Sequence, residues 1–173
     1  MPIEDVKAED LRYEILNEKH DLSSFDCSVE DEMGLNEFIH KEALQFQKEN
    51  LGVTYLFYYS NIIVGFATIA MSQLEIKETK NLLSLKTNIK FFPALMIGRL
   101  GISKDYRHRN LGENICYWCV SQAKQLSEKI GCKLIIVMTN DEKSDFYKNC
   151  RFDLLPKCEK KEKKWMYLQV PEK

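Results

Sequence analysis

Apolar residues recur along the chain with two different periods, and the changes from one to the other mark out the elements. From about Glu30 to Gln47, Met33, Leu35, Phe38, Ile39, Ala43 and Phe46 stand near the helical repeat with charged residues between them. That spacing predicts an amphipathic surface helix packed on a sheet. Val53 to Tyr59 and Ile62 to Met71 are instead rich in β-branched and aromatic residues and are separated only by Ser60-Asn61, the signal of a β-hairpin. Upstream, Arg12 to Asn17 reads as a short strand. After Pro93, Ala94 to Ile102 reads as another, followed by a polar stretch from Ser103 to Asn110. Between Gly112 and Ile130, the residues Ile115, Cys119, Ala123, Leu126 and Ile130 fall three or four positions apart and give way to Gly131, which predicts a long helix closing there. Lys133 to Met138 predicts a strand, Asp141 to Asn149 a short helix and Trp165 to Val170 a last strand, preceded by a charged hairpin over Lys157 to Lys164. Glu75 to Phe92 mixes Lys77, Glu78, Lys80 and Lys86 with Leu82, Leu83 and Leu85 and reads as a variable excursion.

Strand, turn, helix, strand and helix follow one another in the second half. This βαβ crossover requires at least one locally parallel strand pair, whereas the first half supplies antiparallel hairpins. The predicted class is α+β in α/β/α layers: a mixed sheet with helices on both faces. No internal repeat or linker interrupts the 173 residues, so a single domain over 1–173 is expected.

Composition narrows the function more than the fold. With 45% hydrophobic and 11% aromatic residues, 7 Gly and 4 Pro, the chain can bury a real core. Twenty-five Lys and Arg against 26 Asp and Glu leave a formal charge of −1, so no overall field draws nucleic acid or an anionic membrane, and such a partner must be met by a local patch. Met1 to Asp10 is polar and lacks the apolar centre of a signal peptide, and no apolar run approaches the roughly 18 residues that cross a bilayer. A cytoplasmic protein with no membrane partner is expected. In that reducing compartment the six cysteines read as buried thiols rather than bridges. Cys116 and Cys119 have the spacing of a redox pair but lie about a turn beyond Gly112 instead of at a helix start. His20, His40 and His108 are scattered and no second CxxC exists, so no metal site is expected.

The chemistry concentrates where Arg99 to Ile102 passes through Tyr106, Arg107, His108, Arg109 and Asn110 into Leu111 and Gly112. A basic turn opening a helix presents successive backbone N–H groups to an anion and suits a diphosphate. Three basic residues also fit an ordinary solvated turn. Asn110 stands where a left-handed backbone is useful, which Asn tolerates better than any residue except Gly. The chain has neither GxxxxGK followed by Ser or Thr nor GxGxxG, which disfavours a P-loop kinase or a Rossmann dehydrogenase.

Arg107, Asn110 and Gly112, opening a helix after a strand, resemble the signature of the GNAT family of acyl-CoA-dependent N-acetyltransferases, with Asn110 in place of its usual Gly or Ala. Asn140, then Phe146-Tyr147, then Phe152 resemble the family's later motif, with Ser144 and Arg151 departing from its Ala and Gly positions. The two motifs stand in the family's order and spacing, and the likeness runs from about Phe25 to Val170. Within the family the chain is most similar to the toxin branch that acetylates aminoacyl-tRNA, through Phe25 to Ser28, Leu35-Asn36, Ile62 to Thr68, Pro93, Ile97 to Leu100 and Phe146-Tyr147.

The resemblance implies a mostly antiparallel sheet with a splayed parallel pair, and acetyl-CoA as acyl donor. It implies that Leu100, Gly101 and Ile102 bind the pantetheine arm, that Arg107, His108, Arg109, Asn110, Leu111, Gly112, Glu113 and Asn114 hold the diphosphate, and that Asn140 and Lys143 line the cofactor channel. Tyr147 is implied as the general acid; an unperturbed phenol, of pKa about 10, is protonated at pH 7, although a Tyr is also a common core residue. No general base is evident. At pH 7 an α-amine of pKa about 7.7 is about 17% neutral and a lysine of pKa about 10.4 about 0.04%, a ratio of about four hundred that favours α-amine acceptors. Aminoacyl-tRNA and protein N-termini both satisfy it, and small amines or a non-catalytic CoA-binding module stay open as alternatives. The partners implied are a primary amine, in the toxin branch an aminoacyl-tRNA and an antitoxin protein, and a second copy of the chain as a homodimer. The lysines of the Lys157 to Lys164 hairpin read either as a solvated surface or as a contact for tRNA phosphates.

Overall fold

In chain order the elements are β1 (Arg12–Ile15), α1 (Leu35–Glu37), a π-helical turn (Phe38–Glu42), α2 (Ala43–Lys48), β2 (Val53–Tyr59), β3 (Ile62–Glu75), β4 (Phe91–Ile102), α3 (Leu111–Ser127), β5 (Leu134–Thr139), α4 (Asp141–Asn149), β6 (Asp153–Leu154) and β7 (Lys164–Gln169). They come from a computed structural model that describes residues 4–75, 83, 89–155 and 164–172. Most of the excursion expected between Glu75 and Phe92, and Lys157 to Lys163 of the charged hairpin, lie outside the described residues. The strands form one seven-stranded sheet in the order β1-β2-β3-β4-β5-β7-β6, with β4 and β5 parallel. Two compact units share these elements: Met1–Ala70 with Gly98–Cys119, and Met71–Ile97 with Val120–Lys173.

In the first unit the hairpin is as the sequence predicts. Ser60 and Asn61 both adopt left-handed backbone, at φ 48° and 66°, the geometry that matches a two-residue turn to the strands' right-handed twist. The register runs Val53↔Ile69 to Phe57↔Gly65 and resumes at Tyr58↔Ile63, leaving Val64 as the extra residue of a β-bulge. Side chains of β2 alternate between two helical layers. Leu56 packs with Leu35, Phe38, Ile39, Ala43 and Phe66 on the α1 and α2 side. Tyr55 and Phe57 meet Trp118 of α3 at ring centroid distances of 4.6 and 5.0 Å. Burying each such aromatic or Leu side chain contributes about 1.5–3 kcal/mol.

The first helix starts later than its apolar spacing predicts. The Asp31 carboxylate accepts from the amides of Leu35 (2.7 Å) and Asn36 (2.8 Å), and Gly34 turns the chain at φ 68°, so residues 30 to 34 form the entry. A carboxylate on the first amides opposes the helix dipole and satisfies donors that have no intrahelical partner. The helix is also not uniform, since Phe38–Glu42 widens into a π turn.

In the second unit β4 pairs with β5 from Ala94↔Leu134 to Ile97↔Val137, and Pro93 O accepts from Lys133 N at 2.8 Å. Pro93 lacks an N–H but keeps its carbonyl, so β4 begins at Phe91, before the proline rather than after it. β7 lies antiparallel to β5 from Leu134↔Gln169 to Thr139↔Lys164, and the two-residue β6, too short to leave a pattern in the sequence, completes the edge. Leu74, Leu83, Phe92, Ala94, Leu134, Ile136, Leu155 and Tyr167 form this unit's core. α3 ends at Ser127, not Ile130, and Gly131 does not take the left-handed cap conformation that its position suggested.

Candidate functional site

The basic turn between β4 and α3 is held from several sides. Ser103 N donates to Val64 O (2.9 Å) and Lys104 N to Asp26 O (2.8 Å), while Lys104 Nζ pairs with the Asp26 carboxylate at 2.8 Å. Hydrogen bonds from Lys104, then from Ser28, hold the Asp26 carboxyl far below the usual carboxylate range, and Asp26 in turn raises the Lys104 ammonium. Beyond a 3-10 turn over Lys104–Tyr106, His108 and Asn110 both adopt left-handed backbone, at φ 62° and 58°. Asn110 therefore has the conformation its residue type suggested. Its carbonyl accepts from Asn114 N at 3.0 Å, the first helical bond of α3, so the amides of Leu111, Gly112 and Glu113 precede the ladder. Buried Leu111 anchors this end. Amides in that position form an anion site without any side chain.

The side chains around the turn are arranged less simply than the sequence suggests. Arg107 pairs with Glu30 at 2.8 Å. Arg109 lies over the Tyr106 ring, 4.9 Å from its centroid, with Nε buried and lacking an acceptor. His108 is exposed. Asn114 does not offer its amide to the turn: Nδ2 donates to Val6 O at 2.7 Å, while Val6 N donates to Arg109 O at 3.1 Å. This strap was not legible in the sequence, because Val6 is a lone apolar residue more than 100 positions away.

Leu100, Gly101 and Ile102 form the end of β4. A Cβ on Gly101 would lie 2.5 Å from Phe66 Cε1, and one on Gly65 would lie 2.8 Å from Ile115 Cδ1. Glycine at both positions lets this backbone sit close against Phe66 and α3.

In the second unit Asn140 is the N-cap of α4, its Oδ1 accepting from Lys143 N at 3.0 Å. The Asn140 side chain and the Lys143 amide thus start the helix that carries Tyr147. Ser144 is buried and donates its hydroxyl to Asp141 O at 2.8 Å. Tyr147 is 8% exposed and packs edge to face with Phe146 (4.9 Å) and Phe152 (5.7 Å). At the helix end Phe152 N donates to Tyr147 O and Arg151 N to Lys148 O, each at 2.9 Å, around Arg151 at φ 69°. This is a Schellman closure with Arg where glycine is usual.

Cys116 and Cys119 are buried inside α3, and burial pushes the Cys119 thiol well above its ordinary pKa, the reverse of a redox-active pair. Among the described residues no helix is long and apolar enough to cross a membrane.

Strand order, the single parallel pair and the helices define a GNAT-like α+β fold. Solved structures of AtaT and KacT share it. AtaT complexed with acetyl-methionyl-tRNAfMet matches with a TM-score of 0.78 at 22% identity, covering 92% of this chain and 95% of that one. A tyrosine-to-phenylalanine mutant of KacT matches at 0.79 and 19% identity, covering 93% and 95%. A tyrosine-to-phenylalanine mutant of the AtaT toxin, bound to the C-terminus of the antitoxin AtaR and acetyl-CoA, matches at 0.73 and 21%, covering 93% and 94%. At these identities the likeness establishes the fold. No protein-family model matches the sequence, and no curated protein does.

Proposed function

We propose that the chain is an acetyl-CoA-dependent N-acetyltransferase whose acceptor is the α-amine of an aminoacyl-tRNA, acting in the cytoplasm as a toxin held in check by an antitoxin protein. The observation that carries this reading is the fold shared over more than nine-tenths of the chain with AtaT, solved with acetyl-methionyl-tRNAfMet. The left-handed Asn110 and the capped α4 bearing Phe146-Tyr147 add to it, because they occur at the two motifs through which the sequence resembles acetyltransferases.

Acetyl-CoA supplies the activated thioester and its leaving thiolate. The α3 amides from Leu111 to Glu113, with Arg107, His108 and Arg109 around them, suit its diphosphate, and the glycine-lined end of β4 suits an extended arm on backbone groups of Leu100, Gly101 and Ile102. Tyr147 Oη holds the proton that the departing sulfur needs. Asn140 acts by starting α4, and Lys143 stands in that helix's first turn.

The test is thiol release from acetyl-CoA with aminoacyl-tRNAs, peptides and polyamines as acceptors. The expected result is turnover with aminoacyl-tRNA and little with the others. Turnover with peptides or polyamines but no aminoacyl-tRNA would overturn the acceptor, and no turnover with any amine would overturn the enzyme.

A further inference from the structure

Arg99, near the end of β4, is a cation that no carboxylate meets among the described residues. Its guanidinium lies 5.1 Å from the centroid of the Phe38 ring, Nη1 donates to Gly98 O at 2.8 Å, and Nε is buried with no acceptor. No carboxylate pairs with it among the described residues, although other charges of this unit do find partners, as Arg107 does in Glu30 and Lys104 in Asp26. A partly buried guanidinium with an unmet donor is costly to keep unless something fills it, and its planar fork suits phosphate.

The platform beneath it is also unusual. Phe38 is the first residue of the π-helical turn, and such turns are rare and concentrate at functional sites. Its ring is held by Phe66 and Phe46 at centroid distances of 6.4 and 5.7 Å, so the surface on which the guanidinium rests is part of the core. Stacking on an aromatic face leaves the edge of the fork free to donate. In sequence Arg99 directly precedes Leu100 to Ile102, the segment proposed for the acyl-bearing arm, while the diphosphate is assigned to the later Arg107 to Asn114 turn.

We propose that Arg99, stacked on Phe38, binds a phosphodiester of the acceptor next to its reacting aminoacyl group. This rests on the aminoacyl-tRNA reading and deepens it, because the contact distinguishes a charged nucleic acid 3′ end from a peptide N-terminus carrying the same α-amine.

Two minimal acceptors test it: an aminoacyl-adenosine without phosphate, and the same aminoacyl group on cytidylyl-adenosine, which has one phosphodiester. The parent is expected to prefer the second. Arg99→Gln should raise KM for the dinucleotide by about tenfold or more, as loss of a charge-assisted bond worth about 1.5–3 kcal/mol implies, and leave turnover of aminoacyl-adenosine at the parent level. Arg99→Lys, which keeps the charge but not the fork, should fall between. Binding of uncharged tRNA should lose about 0.7 from its log–log salt slope in Arg99→Gln, as removal of one single-strand phosphate contact predicts. Equal losses on both acceptors, in a variant that melts and binds acetyl-CoA like the parent, overturn the Arg99 assignment and leave the proposed function standing. An unchanged dinucleotide KM does the same. A parent that acetylates peptides but neither nucleoside ester overturns both.

Discussion

The carbonyl oxygen of Tyr147 accepts the backbone N–H of Phe152 at 2.9 Å, and the rings of the same two residues meet edge to face at 5.7 Å. One pair therefore closes α4 twice, by a backbone bond and by the apolar contact that accompanies a Schellman closure. Tyr147 cannot be repositioned without undoing the helix end, and Phe152, itself buried, ties that end to the core.

Arg151, the residue around which this closure turns, has φ 69° and an exposed side chain. A left-handed non-glycine residue costs about 1–2 kcal/mol, offset in part by the entropy glycine loses on folding. Arg151→Gly should stabilise the protein by about 0.5–1 kcal/mol net, read from the denaturant midpoint at unchanged slope. A loss of stability would mean that Arg151 makes a favourable contact of its own.

Tyr147→Phe keeps the ring between Phe146 and Phe152 and removes only the hydroxyl. Turnover of aminoacyl-tRNA should fall by about 10²- to 10⁴-fold, the range of general acid catalysis, while acetyl-CoA affinity stays near that of the parent. Single-turnover acetylation beside a calorimetric titration measures both. A variant as fast as the parent removes Tyr147 from the chemistry.

Arg107 is shared between two anions if the turn binds a diphosphate, because Glu30 already holds it at 2.8 Å. An exposed pair of this kind is worth about 0–1 kcal/mol, so Glu30→Gln should tighten acetyl-CoA by up to about fivefold. Arg107→Glu should weaken it strongly by placing a negative charge beside the phosphates. Calorimetry on both variants decides; unchanged affinity in Arg107→Glu would place the diphosphate elsewhere.

Gly101→Ala drives a methyl to within 2.5 Å of the Phe66 ring, which is itself locked in the core. The expected loss is about 1–3 kcal/mol, the usual result of overpacking, with weaker acetyl-CoA binding as β4 shifts. Phe66→Leu in the same chain should recover part of both. Absence of any recovery would show that the ring is not what the methyl meets.

Cys119 is held neutral by burial. Its folded pKa is raised, so the stability it contributes is fully present below the unfolded thiol's value of about 8.5 and is lost as pH climbs from there toward the folded value. At pH 8 a thiol reagent should label Cys116 and Cys119 only at the rate of unfolding, as peptide mapping of labelled protein reports. Rapid labelling of the native protein would contradict the burial of both.

Sequence alone revealed the parts of this fold that depend on local pattern. The Ser60-Asn61 hairpin, α4 from Asp141 to Asn149 and the left-handed Asn110 follow from residue type at a position, and the structure agrees with each. Missed were features that depend on partners far along the chain. Asn114 reads as a residue of the anion turn, yet its amide ties down Val6, and Arg107 reads as a cation for the diphosphate, yet it pairs with Glu30. The start of the first helix was legible in principle, since Asp31 stands close before Leu35 and Asn36 and Gly34 breaks the pattern between them. Gly131 misled because a glycine after a helical run suggests a left-handed cap, which this helix end does not use.

The π-helical turn bears on how this chain tolerates changes in its length. In a regular α-helix the inward position seven residues after Leu35 would be Glu42, but Glu42 is exposed and Ala43 is completely buried in its place. The turn has absorbed one surplus residue while keeping both halves of the helix facing the core. Removing one residue within Phe38–Glu42 would leave an even α-helix with Ala43 still inward, whereas removing one early in Ala43–Lys48 would rotate the remainder of that helix by about 100° and turn Phe46 from its place. The same segment is thus permissive to a deletion at one point and intolerant of it a few residues on, and the permissive point adjoins the ring on which Arg99 rests.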